Sequence, residues 1–296
     1  MKNTAIKFAT IVLLILCTNT VISQNKSTNA QIIKDKDSSY TSISLNYISD
    51  AIYMGRKDSI SAPYLYPSLT YYHKSGFYAN ASFSYLTKSN ESRIDLFLLT
   101  AGFEFTIKKF DGDISVTKYF FNEDSYNVIS EVEADLTAAF RYDLDIINLA
   151  LAANTYFNKN SSSDFFLSSE ISHDFVTTNN KFQFSPTVGV QLGSQNFYEE
   201  YYMNNRLGNG QRGSGRGNNI MSQTTTNVTI QESEKFNLMA VELSLPIWYV
   251  QKPFMVSFLP TLVFPQNEAT IVTEDTLITE KLEETFYWMM GLSYEF

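Results

Sequence analysis

The chain offers two histidines as general bases, His73 and His173. A hydrolase needs such a base beside its nucleophile, and the segment Ser172-His173-Asp174 has a suitable composition. Neighbouring residues of a strand point to opposite faces, however, so Ser172 and Asp174 would point away from His173. Nothing in the sequence singles out a carboxylate pair for glycoside hydrolysis. We therefore expect no enzymatic activity and interpret His173 as an interfacial side chain.

A second candidate for chemistry is the stretch Gly208 to Gly213, which matches the pattern G-x-G-x-x-G. A dinucleotide site needs a strand before this pattern and a helix after it, because the helix N-terminus holds the pyrophosphate. Polar residues precede the match, and Ser214 to Gly217 continue its glycine-rich composition. Metal-ligand spacing is also absent. The sequence predicts no cofactor and no metal site.

The same stretch carries Arg206, Arg212 and Arg216, and residues 201–230 contain no carboxylate. Guanidinium groups bind phosphate and carboxylate in a forked geometry. Two interpretations stay open: a flexible exposed loop, or an anion-binding loop that folds into a lumen. Lipid phosphates and the acidic surface of a partner are both targets for the second.

The composition of the 296 residues favours β structure. Aromatic residues make up 15% of the chain, with 19 Tyr and 23 Phe, and both types favour strands. The net charge of −9 argues against nucleic acid as a partner, since phosphate contacts need basic groups.

Residues 1–23 have the pattern of a signal peptide. Lys2 and Lys7 precede an apolar run, Phe8 to Cys17, of the length of a signal-peptide core. We predict cleavage after Ser23, which removes the only cysteine. Lipidation of Cys17 is the alternative, although Leu16 stands where a small residue is expected.

From residue 39 onward, apolar residues alternate with polar ones, as in strands that are apolar on one face. After a flexible periplasmic lead-in, 24–38, we predict a transmembrane antiparallel up-and-down β-barrel over 39–296. Twelve strands fit best, with 10 and 14 as alternatives. The predicted strands are 40–50, 63–72, 76–87, 94–107, 113–121, 126–142, 146–157, 164–176, 181–193, 235–249, 253–264 and 284–296.

The connections support this topology, because the even-numbered ones are all short and the odd-numbered ones include all the long ones. Barrels of this kind have short periplasmic turns and longer extracellular loops, and the long connections include 194–234 and 265–283. Prolines count against it, since each removes a ladder hydrogen bond. Those inside predicted strands are Pro67, Pro186, Pro246 and Pro260.

The last strand presents Phe286, Trp288, Tyr294 and Phe296 on one face and ends on Phe296. This segment resembles the C-terminal assembly signal of Gram-negative outer-membrane β-barrels. The segment Lys74 to Ala79 is similar to a turn and strand of small porin-like proteins of that class. The resemblance implies an outer-membrane location, contact with outer-membrane lipid and insertion by the barrel assembly machinery.

The strand parity also predicts an acidic lumen, with Arg141 as the clear basic counterpart and Lys118 unassigned. Carboxylates inside a narrow passage attract cations, although any barrel interior is polar. We expect a porin-like protein that passes or binds small solutes and favours cations. The alternative is a non-conducting barrel that docks another envelope component; an integral enzyme ranks third. The predicted lumen acids are Glu104, Glu131, Glu133, Asp135, Glu170, Asp174 and Glu242.

Overall fold

The computed structural model describes residues 38–57, 61–88, 91–123, 125–159, 162–201, 229–272 and 277–296. Twelve long strands in these ranges form one antiparallel sheet. Three of them, β8, β9 and β10, consist of two segments each. The strands are β1 Tyr40–Ile48, β2 Tyr64–Tyr72, β3 Phe77–Leu86, β4 Arg93–Ile107, β5 Phe110–Phe121, β6 Val132–Asp143, β7 Asn148–Asn158, β8 Asp164–Ser172 with Phe175–Val176, β9 Phe182–Phe184 with Thr187–Gly193, β10 Asn237–Ser244 with Ile247–Gln251, β11 Phe254–Pro265 and β12 Thr285–Glu295.

The sheet closes on itself. Each strand pairs with its neighbours in sequence, and β12 pairs with both β11 and β1. The closing register places Leu45 opposite Leu292 and Tyr47 opposite Met290. The fold is therefore an all-β, closed, twelve-stranded antiparallel barrel, as the sequence predicts.

Five connections of two to five residues lie at one end of the barrel, which we call the turn end. Four of these turns contain a residue in the left-handed region: Gly76, Lys108, Asp145 and Asn180. At Gly76 a side chain would also clash, because a Cβ there would lie 2.2 Å from the Glu104 carbonyl oxygen. A fifth turn holds a cis Lys252-Pro253 peptide. The opposite end, which carries the long connections, is the loop end.

Prolines interrupt the wall along one line. Pro186 and Pro246 separate the two segments of β9 and of β10, and Pro260 lies in the neighbouring β11. Each proline still accepts a hydrogen bond through its carbonyl oxygen, from the backbone N–H of His173, Ser185 and Leu245 respectively. We call Pro186, Pro246 and Pro260 the proline row. It holds three of the four prolines that counted against the barrel, and the fourth, Pro67, lies within β2 opposite Leu45.

The outer face of the barrel is apolar. Side chains of alternate residues are exposed on it, including Leu45, Phe97, Val116, Leu136 and Leu292. Exposed apolar side chains in a continuous belt are typical of a surface that contacts lipid. Among the described residues, no helix is long and apolar enough to cross a membrane.

The predicted strand 126–142 is wrong at its start. β6 begins at Val132, and Val128 and Val132 are fully buried instead of facing outward. A register shift between Val132 and Ala134 marks a bulge at this point. The alternation of residues 126–131 therefore reflects a loop that packs inward.

The loop end is filled by a hydrophobic core. Side chains from the connections pack against side chains of the strands, and a short helix, Asn196–Tyr201, contributes Phe197. A small sheet of Thr229–Ile230, Thr270–Val272 and Leu277–Thr279 adds further residues. We call this cluster the loop-end core. Its buried members are Met54, Val128, Ile129, Val132, Phe166, Phe197, Tyr198, Ile230, Met239, Ala240, Val263, Ala269 and Ile271.

Candidate functional site

The turn-end half of the lumen contains a cavity of about 690 Å³. Small side chains make room for it, because Ala139, Ala150 and Ala152 on β6 and β7 all line it. Its volume lies in the range of small-molecule sites, about 300–1,000 Å³. Its charged lining residues are four acids and two bases: Glu104, Asp111, Asp113, Glu170, Lys74 and Arg141.

Tyrosines form one part of the cavity wall. The rings of Tyr40 and Tyr72 are stacked, with centroids 4.7 Å apart and planes at 21°. The Tyr78 ring continues the group at 5.7 Å from Tyr72. Gly102 allows this arrangement, since a Cβ at that position would lie 2.5 Å from the Tyr78 ring.

Glu104 and Asp113 occupy directly opposed positions on β4 and β5. Opposed residues have Cβ atoms about 4.5–5.5 Å apart, and like charges at such positions destabilise a sheet. Both residues line the cavity. The pair concentrates negative charge beside the tyrosines.

Arg141 is engaged by a partner. Its Nη2 donates to Asp174 Oδ2 over 2.7 Å. Asn148 Nδ2 also donates to Asp174 Oδ2, over 3.1 Å, and Ser185 Oγ donates to Asp174 Oδ1 over 2.5 Å. This network places Asp174 inside the barrel and offsets the charge of Arg141.

Two further predicted lumen acids lie in one row across three strands. Gly189 is opposite both Glu170 on β8 and Glu242 on β10. Because Gly189 has no side chain, the Glu170 side chain lies over it, with its Cγ 3.4 Å from where a Cβ would stand. Continuing the row, Ala150 stands between Glu170 and Arg141.

The predicted triplet Glu131, Glu133 and Asp135 is not a ladder on one face. Asp135 is buried in the interior and accepts a hydrogen bond from Tyr119 Oη over 2.6 Å. Glu131 lies in the loop before β6 and pairs with Lys159 at 3.6 Å. The placement of Glu133 in the lumen was wrong, because the bulge turns this residue outward.

The partner of Glu133 shows this directly. Lys118 Nζ lies 3.4 Å from Glu133 Oε2, and both side chains are about half exposed. Lys118 shares the parity of Val116 and Phe120, which are exposed on the outer face. The ion pair therefore belongs to the outer surface near the loop end.

The loop-end core contains a buried charge that the sequence did not single out. The side chain of Arg56 is 0% exposed and lies 3.6 Å from the Glu280 carboxylate. Its Nη2 donates to the Asn267 carbonyl oxygen over 2.9 Å, and its guanidinium lies 5.5 Å from the Tyr198 ring centroid. Tyr198 Oη also donates to Glu280 over 2.6 Å. These contacts, which we call the Arg56 latch, join three connections across the lumen.

Asp164 fixes the short helix in place. It is fully buried, and its carboxylate accepts the backbone N–H of Asn196 over 2.8 Å and of Phe197 over 2.7 Å. Ser194 Oγ donates to it over 2.5 Å, and Asn158 Nδ2 over 2.8 Å. Its four partners satisfy a carboxylate that would otherwise be costly to bury.

Asp95 has a similar role beside the loop 122–131. Arg93 Nε and Ser125 Oγ donate to it over 3.0 and 2.7 Å, and Tyr64 Oη is a third donor. Nearby, the Tyr126 hydroxyl donates to Glu91, and this bond, assisted by Lys88, lowers the pKa of Glu91. These contacts hold a loop against the rim of the barrel.

The two histidines and the residues of the predicted assembly signal remain to be placed. His73 lies in a turn with Nδ1 2.7 Å from Ser75 Oγ, and the His173 ring meets Phe175 edge-on at 4.4 Å. Phe296 is 68% exposed, and its backbone N–H bonds the Thr41 carbonyl oxygen. On β12, Phe286 is exposed. The Tyr294 ring packs against the Phe254 ring with centroids 4.9 Å apart. The Trp288 ring lies 5.3 Å from the Tyr47 ring, centroid to centroid.

Some predictions lie outside the described residues. They concern the signal peptide, most of the lead-in 24–38, and the arginines Arg206, Arg212 and Arg216. Within the described ranges, no group of three or more His, Cys, Asp or Glu residues could hold a metal ion.

No protein-family model matches this chain, and no curated protein matches its sequence. Solved structures with a similar fold include the KdgM porin, at 10% identity and a TM-score of 0.46, over 86% of this chain and 99% of that chain. The NanC porin gives 9% identity and 0.46, over 86% and 98%. An anion-selective porin from Comamonas acidovorans gives 7% identity and 0.34, over 88% and 99%. Such distant similarity says nothing about solute or activity.

Proposed function

We propose that this chain is an outer-membrane channel of the porin type that passes small cationic solutes. The observation that carries the proposal is the surplus of carboxylates in the turn-end cavity, where four acids face two bases. Arg141 is already paired with Asp174. Carboxylates in a narrow lumen of low dielectric raise the local concentration of cations.

The apolar outer belt and the sequence pattern of residues 1–23 support an outer-membrane location. In such barrels the short turns face the periplasm and the long loops face outward. The turn-end cavity would then open towards the periplasm, and the loop-end core would close the extracellular side. Exposed Phe296 at the end of the closing strand fits insertion by the barrel assembly machinery.

Passage requires that the loop-end core open, and the Arg56 latch is the contact most suited to control this step. Removal of the guanidinium by Arg56→Ala leaves Glu280 buried without its cationic partner, which is strongly unfavourable. We expect higher conductance from Arg56→Ala than from the natural chain in planar bilayers.

The test of selectivity is the reversal potential across a salt gradient. We expect cation preference, and we expect the triple variant Glu104→Gln, Glu170→Gln, Glu242→Gln to move the potential towards zero. Glu133→Gln is the control for location, because it removes a carboxylate from the outer face; it removes one charge where the triple variant removes three. Anion preference would contradict the proposal and would direct attention to Arg206, Arg212 and Arg216.

A second function is favoured by the packed state of the loop end. Phe166, Phe197 and Met239 are almost fully buried there, as expected for a barrel that docks another envelope component without conducting. Absence of current in both the natural chain and Arg56→Ala would support this function over the first.

A further inference from the structure

The wall of the turn-end cavity combines aromatic faces with negative charge. Tyr40 and Tyr72 line it as a stacked pair, and Glu104 and Asp113 line it nearby. Aromatic rings attract cations, and the attraction increases when the cation loses water. This combination suits an organic cation better than a neutral or anionic solute.

The charges of this wall favour a bound cation for a second reason. Glu104 and Asp113 face each other across β4 and β5, an arrangement that costs stability while both are charged. Asp113 also interacts with Tyr78, whose ring is placed by Gly102. A cation between the two carboxylates would offset their repulsion.

The hydrogen-bonding groups indicate what kind of cation fits. The carboxylates are acceptors only, and the Tyr40 hydroxyl is buried with no hydrogen-bond partner among the described residues. Of the two basic residues that line the cavity, Arg141 is paired with Asp174, and Lys74 is an exposed residue of the turn after β2. A ligand that brings N–H donors matches this set, whereas a quaternary ammonium ion has none to offer.

One part of the cavity lining is apolar. Ala139, Ala150, Ala152 and Met255 line it, and small or apolar side chains suit a hydrocarbon chain or ring. The volume of about 690 Å³ leaves room for such a group beside the charged end.

We infer that the turn-end cavity binds a primary ammonium ion with a short apolar body. The ammonium group lies between Glu104 and Asp113 beside the tyrosines, and the body lies along Ala150 and Ala152. This inference rests on the proposed function, since it names the class of solute that a cation channel would take up here.

The test uses three probes with one body and three charges: 2-phenylethylammonium, 2-phenylethanol and phenylacetate. Isothermal titration calorimetry on the purified barrel in detergent, with protein-free micelles as the blank, measures binding whether or not the barrel conducts. We expect the ammonium ion to bind at least about tenfold more tightly than the other two, as a charge-assisted hydrogen bond would give.

Two variants separate charge from shape. Glu104→Gln with Asp113→Asn should weaken binding of the ammonium probe by about tenfold. Tyr72→Leu keeps the charges and should weaken it by roughly threefold, through loss of the cation–π contact. Glu133→Gln, on the outer face, should leave binding unchanged. Heat-dependent migration on gels checks that each variant is folded.

Equal binding of the three probes would overturn the inference, and so would equal binding by the double variant and the control. If the ammonium probe does not bind while the reversal potential still shows cation preference, the proposed ammonium site is wrong and the proposed channel function remains supported. If the probes bind in the expected order while no current is found, the ammonium site is supported and the proposed channel function is wrong.

Discussion

At the loop end of the barrel, Phe166, Phe197 and Met239 are almost completely buried, whereas at the turn end Ala150 and Ala152 border an open cavity. The same strands build both regions. On β7, Tyr156 packs against Phe166 at 5.0 Å near the loop end, while the alanines lie near the turn end. The size of the inward side chain therefore decides where the lumen is filled.

The two regions also treat charge differently. In the loop-end core, Arg56 and Glu280 are both buried and lie together, and Asp164 has four hydrogen-bonding partners. At the turn end, Glu104 and Asp113 oppose each other with acids in surplus. A region that pairs a buried cation with a buried carboxylate is suited to closure, and a cavity lined by four acids and two bases is suited to binding a cation.

The largest effect should come from emptying the loop-end core. Phe166 makes edge contacts with Tyr53, Tyr156 and Phe197 at 5.7, 5.0 and 5.8 Å. We expect Phe166→Ala to lower the free energy of unfolding by about 3–5 kcal/mol. Ala152→Val, which adds atoms towards the cavity, should cost below about 1.5 kcal/mol. Equal losses in denaturant titrations would break the distinction between the two regions.

The next largest effect should distinguish the inner from the outer face of the barrel wall. The two test residues lie on β6, between the loop-end core and the turn-end cavity. Leu136 is 48% exposed on the outer face, so Leu136→Arg should cost about 2–4 kcal/mol in lipid. Thr137 points inward, where its hydroxyl lies 2.9 Å from Asp135, and Thr137→Arg should be milder. Unfolding in vesicles measures both. A larger loss for Thr137→Arg would invert the assignment of the faces.

A smaller effect should follow from Asp164→Asn. An amide cannot accept all the bonds that the carboxylate accepts, so one or more buried N–H groups lose their partner, at about 1–3 kcal/mol. Faster hydrogen exchange in the helix Asn196–Tyr201 would report this loss. The exposed Asp145, which pairs with Lys109 in a turn, supplies the control Asp145→Asn, which should leave that helix unchanged.

The smallest effect should be pH-dependent and confined to the rim. The hydrogen bond from Tyr126 holds the pKa of Glu91 below its usual 4.5. The stabilisation is therefore present above pH 4.5 and is lost as the pH falls through the lower, folded-state pKa. The protection of residues 122–131 against hydrogen exchange, corrected for the intrinsic effect of pH on amide exchange, should fall in acid for the natural chain. Glu91→Gln should remove that dependence, and an unchanged acid response would refute the role of Glu91.

Period-two alternation was sufficient to predict the twelve strands, their closure and most of the outer face. It failed at residues 126–131, because a loop that packs inward can alternate as a strand does. It failed again at Glu133, where a single bulge between Val132 and Ala134 reverses the parity. One extra residue is enough to exchange the two faces.

The buried acids Asp95 and Asp164 were not predicted from the sequence for a different reason. Asp164 bonds residues about 30 positions away, in the connection that follows β9. Asp95 bonds Tyr64 and Ser125, which are also about 30 positions away on either side. Their roles depend on which loops fold into the lumen, and strand periodicity carries no information about that. The buried position of Arg56 could not be predicted either, because it also depends on how the loops fold into the lumen.

The proline row has a mechanical consequence. Where Pro186, Pro246 and Pro260 stand, each crossing between strands lacks the amide donor that other residues supply, so β8 to β11 are cross-linked more sparsely than the rest of the wall. Elsewhere in the described part of the wall only Pro67 of β2 lies inside a strand, so the barrel is a ring of uneven stiffness whose most compliant arc is β8 to β11. Under lateral pressure or in a bilayer of different thickness, we expect its cross-section to flatten along this arc while β1 to β6 keep their curvature.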